Sequence, residues 1–221
     1  MSNFFWFPIE ELPFIVLSII LCFTIHEFAH AFTAWKFGDD TAYKEGRVTL
    51  NPVAHLDFLG FIFIILAGFG WAKPVPVRAS RFSNPRLMSV IVSAAGPVSN
   101  FLLGVLSFFL LFLLYRFGLV DGASDGVRAA IETFFGYFIH FNFLLFVFNL
   151  IPLPPLDGYR IVMEFLPLNL RFKIEQHAQW GVIIFLLLVF IPPLRAVTIG
   201  PILGWTENIT LFVGKLVSFV I

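Results

Sequence analysis

Cysteine and charge are what this sequence has least of. A single cysteine, Cys22, in 221 residues excludes an internal disulfide and a cysteine-based zinc knuckle. Charged residues make up 13% of the chain, where a soluble domain has about a quarter. Net charge is zero, so no basic surface is set aside for nucleic acid and no such partner is expected. The opening MSNFFWFPIEELPF has no basic n-region and carries two acids, so we expect no cleaved signal peptide and a first span that stays in place. Repeats, low-complexity runs and any linker long enough to tether a second domain are missing too. One domain over residues 1–221 is the expectation.

What is there is hydrocarbon. Hydrophobic residues are 59% of the chain, 31 of them Phe, and mean hydropathy is +0.91. This composition defines an integral membrane protein in a lipid bilayer. Residues 12–35 form a first span, long enough for a core of ~30 Å at about 1.5 Å per residue. A polar stretch follows, in which residues 46–50 read as a short strand between turn signals. FLGFIFIILAGFG is too short to span and reads as re-entrant or interfacial. WAKPVPVRASRF alternates Pro with Val, as a hairpin or sheet edge does. Residues 87–117 make the second full span and 127–149 the third, broken by LIPLPPLDG. WGVIIFLLLVFIPPL is a short fourth span, and the tail after Arg195 is one more span or a surface helix. The fold class is thus an all-α polytopic membrane protein. Its three-helix core covers residues 12–165 and its C-terminal helices residues 177–221, with a small membrane-associated β-hairpin or re-entrant region between the first two spans.

Loop charges orient it. Lys73, Arg78, Arg81 and Arg86 stand without an acid between the short apolar run and the second span, whereas the loop beyond that span is acidic on balance. Positive-inside logic places residues 36–86 in the cytosol and the N-terminus outside.

Against this apolar background HEFAH is out of place. It is H-E-x-x-H, and on a helix His26 and His30 share one face, where both imidazoles can reach one ion. Zinc suits imidazole and accepts a tetrahedral nitrogen and oxygen set. Glu27 adjoins the first ligand, placed to take a proton from an activated water. An acid at mid-helix costs ~3 kcal/mol on insertion scales, so its presence marks function. His30 lies six residues before Lys36, roughly 9 Å of helix rise, which puts the cluster near the cytosolic side. Two histidines leave the ion underbound, since catalytic zinc takes three protein ligands and keeps one open position. Asp157 is the candidate third ligand: it follows Pro152, Pro154 and Pro155, which break the third span, and precedes Gly158. Asp is also a good helix N-cap, and that reading stands beside the ligand one.

HEFAH in the first span, SAAGPVSN in the second and FNLIPLPPLDG in the third resemble the signatures of the site-2 protease family of intramembrane zinc metalloproteases. The likeness covers residues 15–165 and is greatest for the compact prokaryotic group without PDZ or CBS domains, in which RVTLNPVAHLD and WAKPVPV recur. It implies one zinc per chain on His26, His30 and Asp157, with Glu27 as acid and base. Asn149 matches an asparagine that holds substrate or the oxyanion. The resemblance also implies an active site open to the cytosol and, as substrates, transmembrane segments of other proteins, cut in regulated proteolysis or in clearance of signal-peptide remnants. An unwound substrate could pair with GRVTL or KPVPVR by β-addition.

The remaining polar residues have weaker claims. His55, Asn142 and Asn100 are candidates to line the cavity, each with a structural alternative: an interfacial turn for His55, helix packing for the asparagines. Cys22, one turn before His26, is a packing residue or a sulfur ligand. Two other functions fit the composition, a catalytically silent binder of membrane helices and a metal transporter. The first has no need of Glu27, and the second would show internal symmetry, of which the sequence has none.

Overall fold

The computed structural model describes residues 7–220; residues 1–6 of the acidic opening lie outside them. Ten α-helices are described: α1 (Leu12–Lys36), α2 (Thr41–Lys44), α3 (Phe58–Ala67), α4 (Pro85–Arg116), α5 (Asp125–Asn149), α6 (Asp157–Phe165), α7 (Leu168–Glu175), α8 (Ala178–Phe190), α9 (Pro192–Val197) and α10 (Ile199–Val220). Helices α1, α4 and α5 are the three long and apolar enough to cross a membrane. They also pack on one another and form the centre of the molecule. Helix α6 lies against α4, and α10 against α5 and α4.

The ends of these helices follow from their sequences. Proline in its first turn opens α1, and Lys36 sits in its last. Gly38, at φ +96°, then turns the chain as only glycine does without strain. Helix α4 begins at Pro85 behind Asn84, whose side chain accepts the Leu87 amide at 3.2 Å. In its interior Pro97 has no amide to give the Ser93 carbonyl one turn back, so the helix is loosened there. Helix α3 is capped by Asp57, which accepts the Gly60 amide at 2.8 Å, and ends on left-handed Gly68. Its ten residues are too few to span, as expected from the sequence.

Beyond residue 165 the chain is less regular. Helices α7 and α8 meet at a 63° bend and count as a fourth span only if taken together. The 22-residue α10 carries Glu207 and Lys215 and is not among the helices apolar enough to cross by themselves.

The expected β-hairpin does not form. Among the described residues there is no strand, and Leu56 and Ala72 make one isolated antiparallel bridge. Residues 46–50 are a turn and a bend, and residues 73–78 have no regular secondary structure, with the Lys73 amide on the His55 carbonyl at 2.8 Å. The physical reason lies in where the backbone groups go. Pro74 and Pro76 have no amides, and the Arg78 amide donates to Asp39 Oδ2 at 2.6 Å. The carbonyls of Lys73 and Pro74 accept from the buried Arg47 guanidinium at 2.5 and 3.1 Å. Side chains have taken the places a partner strand would use.

Candidate metal centre and its cavity

The spacing of HEFAH stacks His26 and His30 on the inner face of α1, with ring centroids 4.7 Å apart. Asp157 arrives from the far side of the sequence. Helix α5 ends at Asn149, and the prolines of the next seven residues prevent its continuation. Helix α6 restarts at Asp157 itself. Leu156 occupies the N-cap position, so Asp157 is the first helical residue and the cap alternative is set aside. Gly158 makes this turn feasible, because a Cβ there would lie 2.3 Å from the Leu150 carbonyl oxygen.

Three atoms converge. Nε2 of His26 and Nε2 of His30 are 3.1 Å apart, and each is 3.2 Å from Asp157 Oδ2. All three residues are buried. The other nitrogen of each ring is already committed. His30 Nδ1 is 2.7 Å from the Val92 carbonyl, and His26 Nδ1 is 2.6 Å from Asn100 Oδ1. Both partners are acceptors, so each imidazole carries its proton on Nδ1. In their neutral form the two rings then turn Nε2 lone pairs towards a carboxylate oxygen, and three electron-rich atoms at this spacing are a donor set for a cation, whether a proton or a metal ion. A tetrahedral ion with bonds of about 2.0–2.1 Å separates its ligands by roughly 3.3 Å, so the set fits zinc. His26, His30 and Asp157 are the group of potential ligands that comes together among the described residues. Cys22 is buried and outside this group, as a packing residue would be.

Gly96 belongs to this centre, a role that the sequence reading missed. A Cβ on it would stand 2.2 Å from His30 Nε2 and 2.7 Å from His26 Nε2. Helix α4 therefore presses bare backbone against the ligand atoms. The glycine in SAAGPVSN was the available signal.

The centre borders a cavity of about 400 Å³. Glu27, 8% exposed, lines it beside His26, and Asn149 lines it from the end of α5. The Asn149 amide donates back to the Leu145 carbonyl at 3.1 Å. The segment from Phe69 to Val77 lines one side. At the rim Arg171 joins Glu164 at 2.7 Å and Glu175 at 2.8 Å, which ties α6 to α7. A second, apolar cavity of about 360 Å³ adjoins the first and shares Phe23, Phe69, Leu145 and Phe148 with it.

The three weaker candidates lie elsewhere. His55 is fully buried and outside the cavity lining, with Nε2 2.7 Å from the Thr49 carbonyl. It is a turn residue, held away from the cavity because its ring is spent on its own loop. Asp57 caps α3 in the same turn. Asn100 and Asn142 are fully buried between α1, α4 and α5 and do not line the cavity either, since their amides bond to one another. His140, on α5, is exposed on the helix surface.

Helices able to cross a membrane, around two histidines and an aspartate that could hold a metal ion, are what a membrane metallopeptidase would need, and comparison with known proteins points to the same class. The chain is 48% identical over 204 residues to "Putative zinc metalloprotease YwhC" of Bacillus subtilis, covering 92% of both chains. It is 30% identical to "Putative zinc metalloprotease Rip2" of Mycolicibacterium smegmatis over 82% of this chain and 68% of that one. It is 26% identical to "Putative zinc metalloprotease MJ0611" of Methanocaldococcus jannaschii over 72% and 75%. The model of peptidase family M50 matches residues 116–191. No solved structure matches the chain. The chain belongs to peptidase family M50, the site-2 protease family.

Proposed function

We propose that this protein is a zinc endopeptidase that cleaves other membrane proteins in or near their transmembrane segments. The observation that carries the reading is the convergence of His26 Nε2, His30 Nε2 and Asp157 Oδ2 within 3.2 Å, buried among helices that can cross a membrane. These residues hold the ion, which when bound supplies Lewis acidity towards a water and a peptide carbonyl. Glu27 takes the proton of the attacking water and returns it to the departing amine. Asn149 donates or accepts at the substrate backbone from the end of α5. A binding protein without chemistry would have no use for a carboxylate buried beside the ligands, which weighs against a silent role.

The substrate class follows from the walls. Phe69, Phe148 and Phe185 line the cavity, and the adjoining apolar cavity offers room for large hydrophobic side chains on the same segment. A transmembrane helix hides its carbonyls in its own hydrogen bonds, so the segment is cut after local unwinding. Loop charges support a multi-pass protein of the cell membrane with its N-terminus outside and this cavity open towards the cytosol.

Cleavage of a panel of single-span proteins by the detergent-purified protein tests the proposal against its Glu27→Gln variant, with zinc assayed in both. The expected result is cutting by the wild type alone while both hold one zinc per chain. Equal cutting by both would remove Glu27 from the mechanism. Zinc with no cutting across the panel would favour binding or transport.

A further inference from the structure

Asn142 touches nothing in the cavity, yet it begins a buried chain of hydrogen bonds that ends on His26. The Phe138 carbonyl on α5 can only accept, and it receives Asn142 Nδ2 at 2.8 Å. That contact turns Asn142 Oδ1 towards α4, where the atom 3.0 Å away is Asn100 Nδ2. The same Nδ2 reaches the Cys22 carbonyl on α1 at 3.3 Å, so both of its hydrogens are committed. Asn100 Oδ1 is therefore the atom left to face His26 Nδ1, at 2.6 Å. An acceptor there keeps the proton on Nδ1 and leaves the Nε2 lone pair for the ion. Both asparagines are 0% exposed, so water does not compete for any of these bonds.

We propose that Asn100 and Asn142 are positioning residues of the metal centre, which together hold His26 in the one tautomer and ring orientation able to bind zinc. The inference rests on His26, His30 and Asp157 being the zinc site. It also explains an asymmetry between the ligands. His30 is oriented by the Val92 carbonyl, a backbone atom that no substitution deletes, whereas His26 depends on two side chains from two other helices. Asparagine suits position 100 because the site needs an acceptor towards α1 and donors behind it, from one uncharged side chain.

The test is zinc affinity of the full chain in detergent, measured by chelator competition, with the visible absorption of the cobalt-loaded protein as a second readout. Asn100→Ala is expected to weaken zinc roughly tenfold to a hundredfold, the range for removing a partner of a metal-bound histidine. Asn142→Leu, similar in size, is expected to weaken it in the same direction by less, and both variants to shift the cobalt bands. Ser107→Ala, which removes a buried hydroxyl bonded to the Leu103 carbonyl at 2.6 Å on the same helix, should change neither. Wild-type affinity and spectrum in Asn142→Leu, or an equal loss in Ser107→Ala, would overturn the proposal. Should Asn100→Ala not fold, Asn142→Leu carries the test. His26→Ala separates the two levels. If it loses zinc while the asparagine variants do not, only this inference fails; if it binds zinc normally, the site itself is wrong.

Discussion

Two proline-rich stretches flank the same cavity, and they are held by opposite means. The floor, residues 150–157, ends on Asp157 and is fixed locally. Its prolines stop α5, and Gly158 lets the chain pass against the Leu150 carbonyl. The roof, residues 69–77, is fixed from a distance. Arg47 holds its carbonyls from 26 and 27 residues away, and the His55 carbonyl accepts the Lys73 amide at 2.8 Å. Proline runs beside one cavity are therefore not one kind of structure. In the proposed protease the floor would place a ligand and the roof would cover substrate, the one fixed by its own backbone and the other by side chains from distant residues.

Substitutions sharpen that contrast. The largest effect is expected from Asp157→Ala, which should abolish both cleavage and stoichiometric zinc, read by metal analysis of the purified protein. Gly158→Ala comes next. Its added methyl meets backbone, which cannot step aside, so the cost is about 1–3 kcal/mol of stability together with loss of zinc as Asp157 is displaced. Thermal unfolding in detergent and metal content would show both. On the roof, Arg47→Met should leave zinc in place. It strips the Lys73 and Pro74 carbonyls of their donor, a cost of about 1–3 kcal/mol, and is expected to raise KM for a membrane substrate more than it lowers kcat. Loss of zinc in that variant would mean that roof and floor are one unit.

The smallest effect is a pH dependence of the roof. Burial holds the His55 imidazole below its ordinary pKa, with the Arg47 charge adding to the shift and the Thr49 carbonyl opposing it. The folded state thus binds this proton more weakly than the unfolded state. The contribution to stability is complete above about pH 6.5 and is lost as pH falls below that value towards the lower folded one. By hydrogen-exchange mass spectrometry, the protection of residues 69–77 relative to the intrinsic exchange rate at each pH should fall between pH 7.5 and 5.5, and His55→Gln should flatten the response.

Most of the floor was legible in the sequence, and most of the roof was not. HEFAH is a local pattern whose spacing alone puts two imidazoles on one face, and an Asp-Gly after three prolines announces a break with a carboxylate on it. The three long spans follow from length and hydropathy. The roof was misread because alternating Pro and Val looks like a sheet edge, while the contacts that decide otherwise come from Arg47, Asp39 and His55. Asn100 and Asn142 were taken as candidate cavity residues, because no pattern in one sequence tells that their amides bond each other 42 residues apart. Gly96 was not singled out within SAAGPVSN, since the atoms it spares lie on another helix.

X-ray absorption at the zinc edge of the purified full-length protein tests the central claim most directly. The account predicts one zinc per chain with a shell of nitrogen and oxygen only, at about 2.0–2.1 Å, including the multiple-scattering signature of two imidazoles. A sulfur shell near about 2.3 Å would bring Cys22 into the site, and a single imidazole would remove His26 or His30 from it. Either result would contradict the centre described by His26, His30 and Asp157.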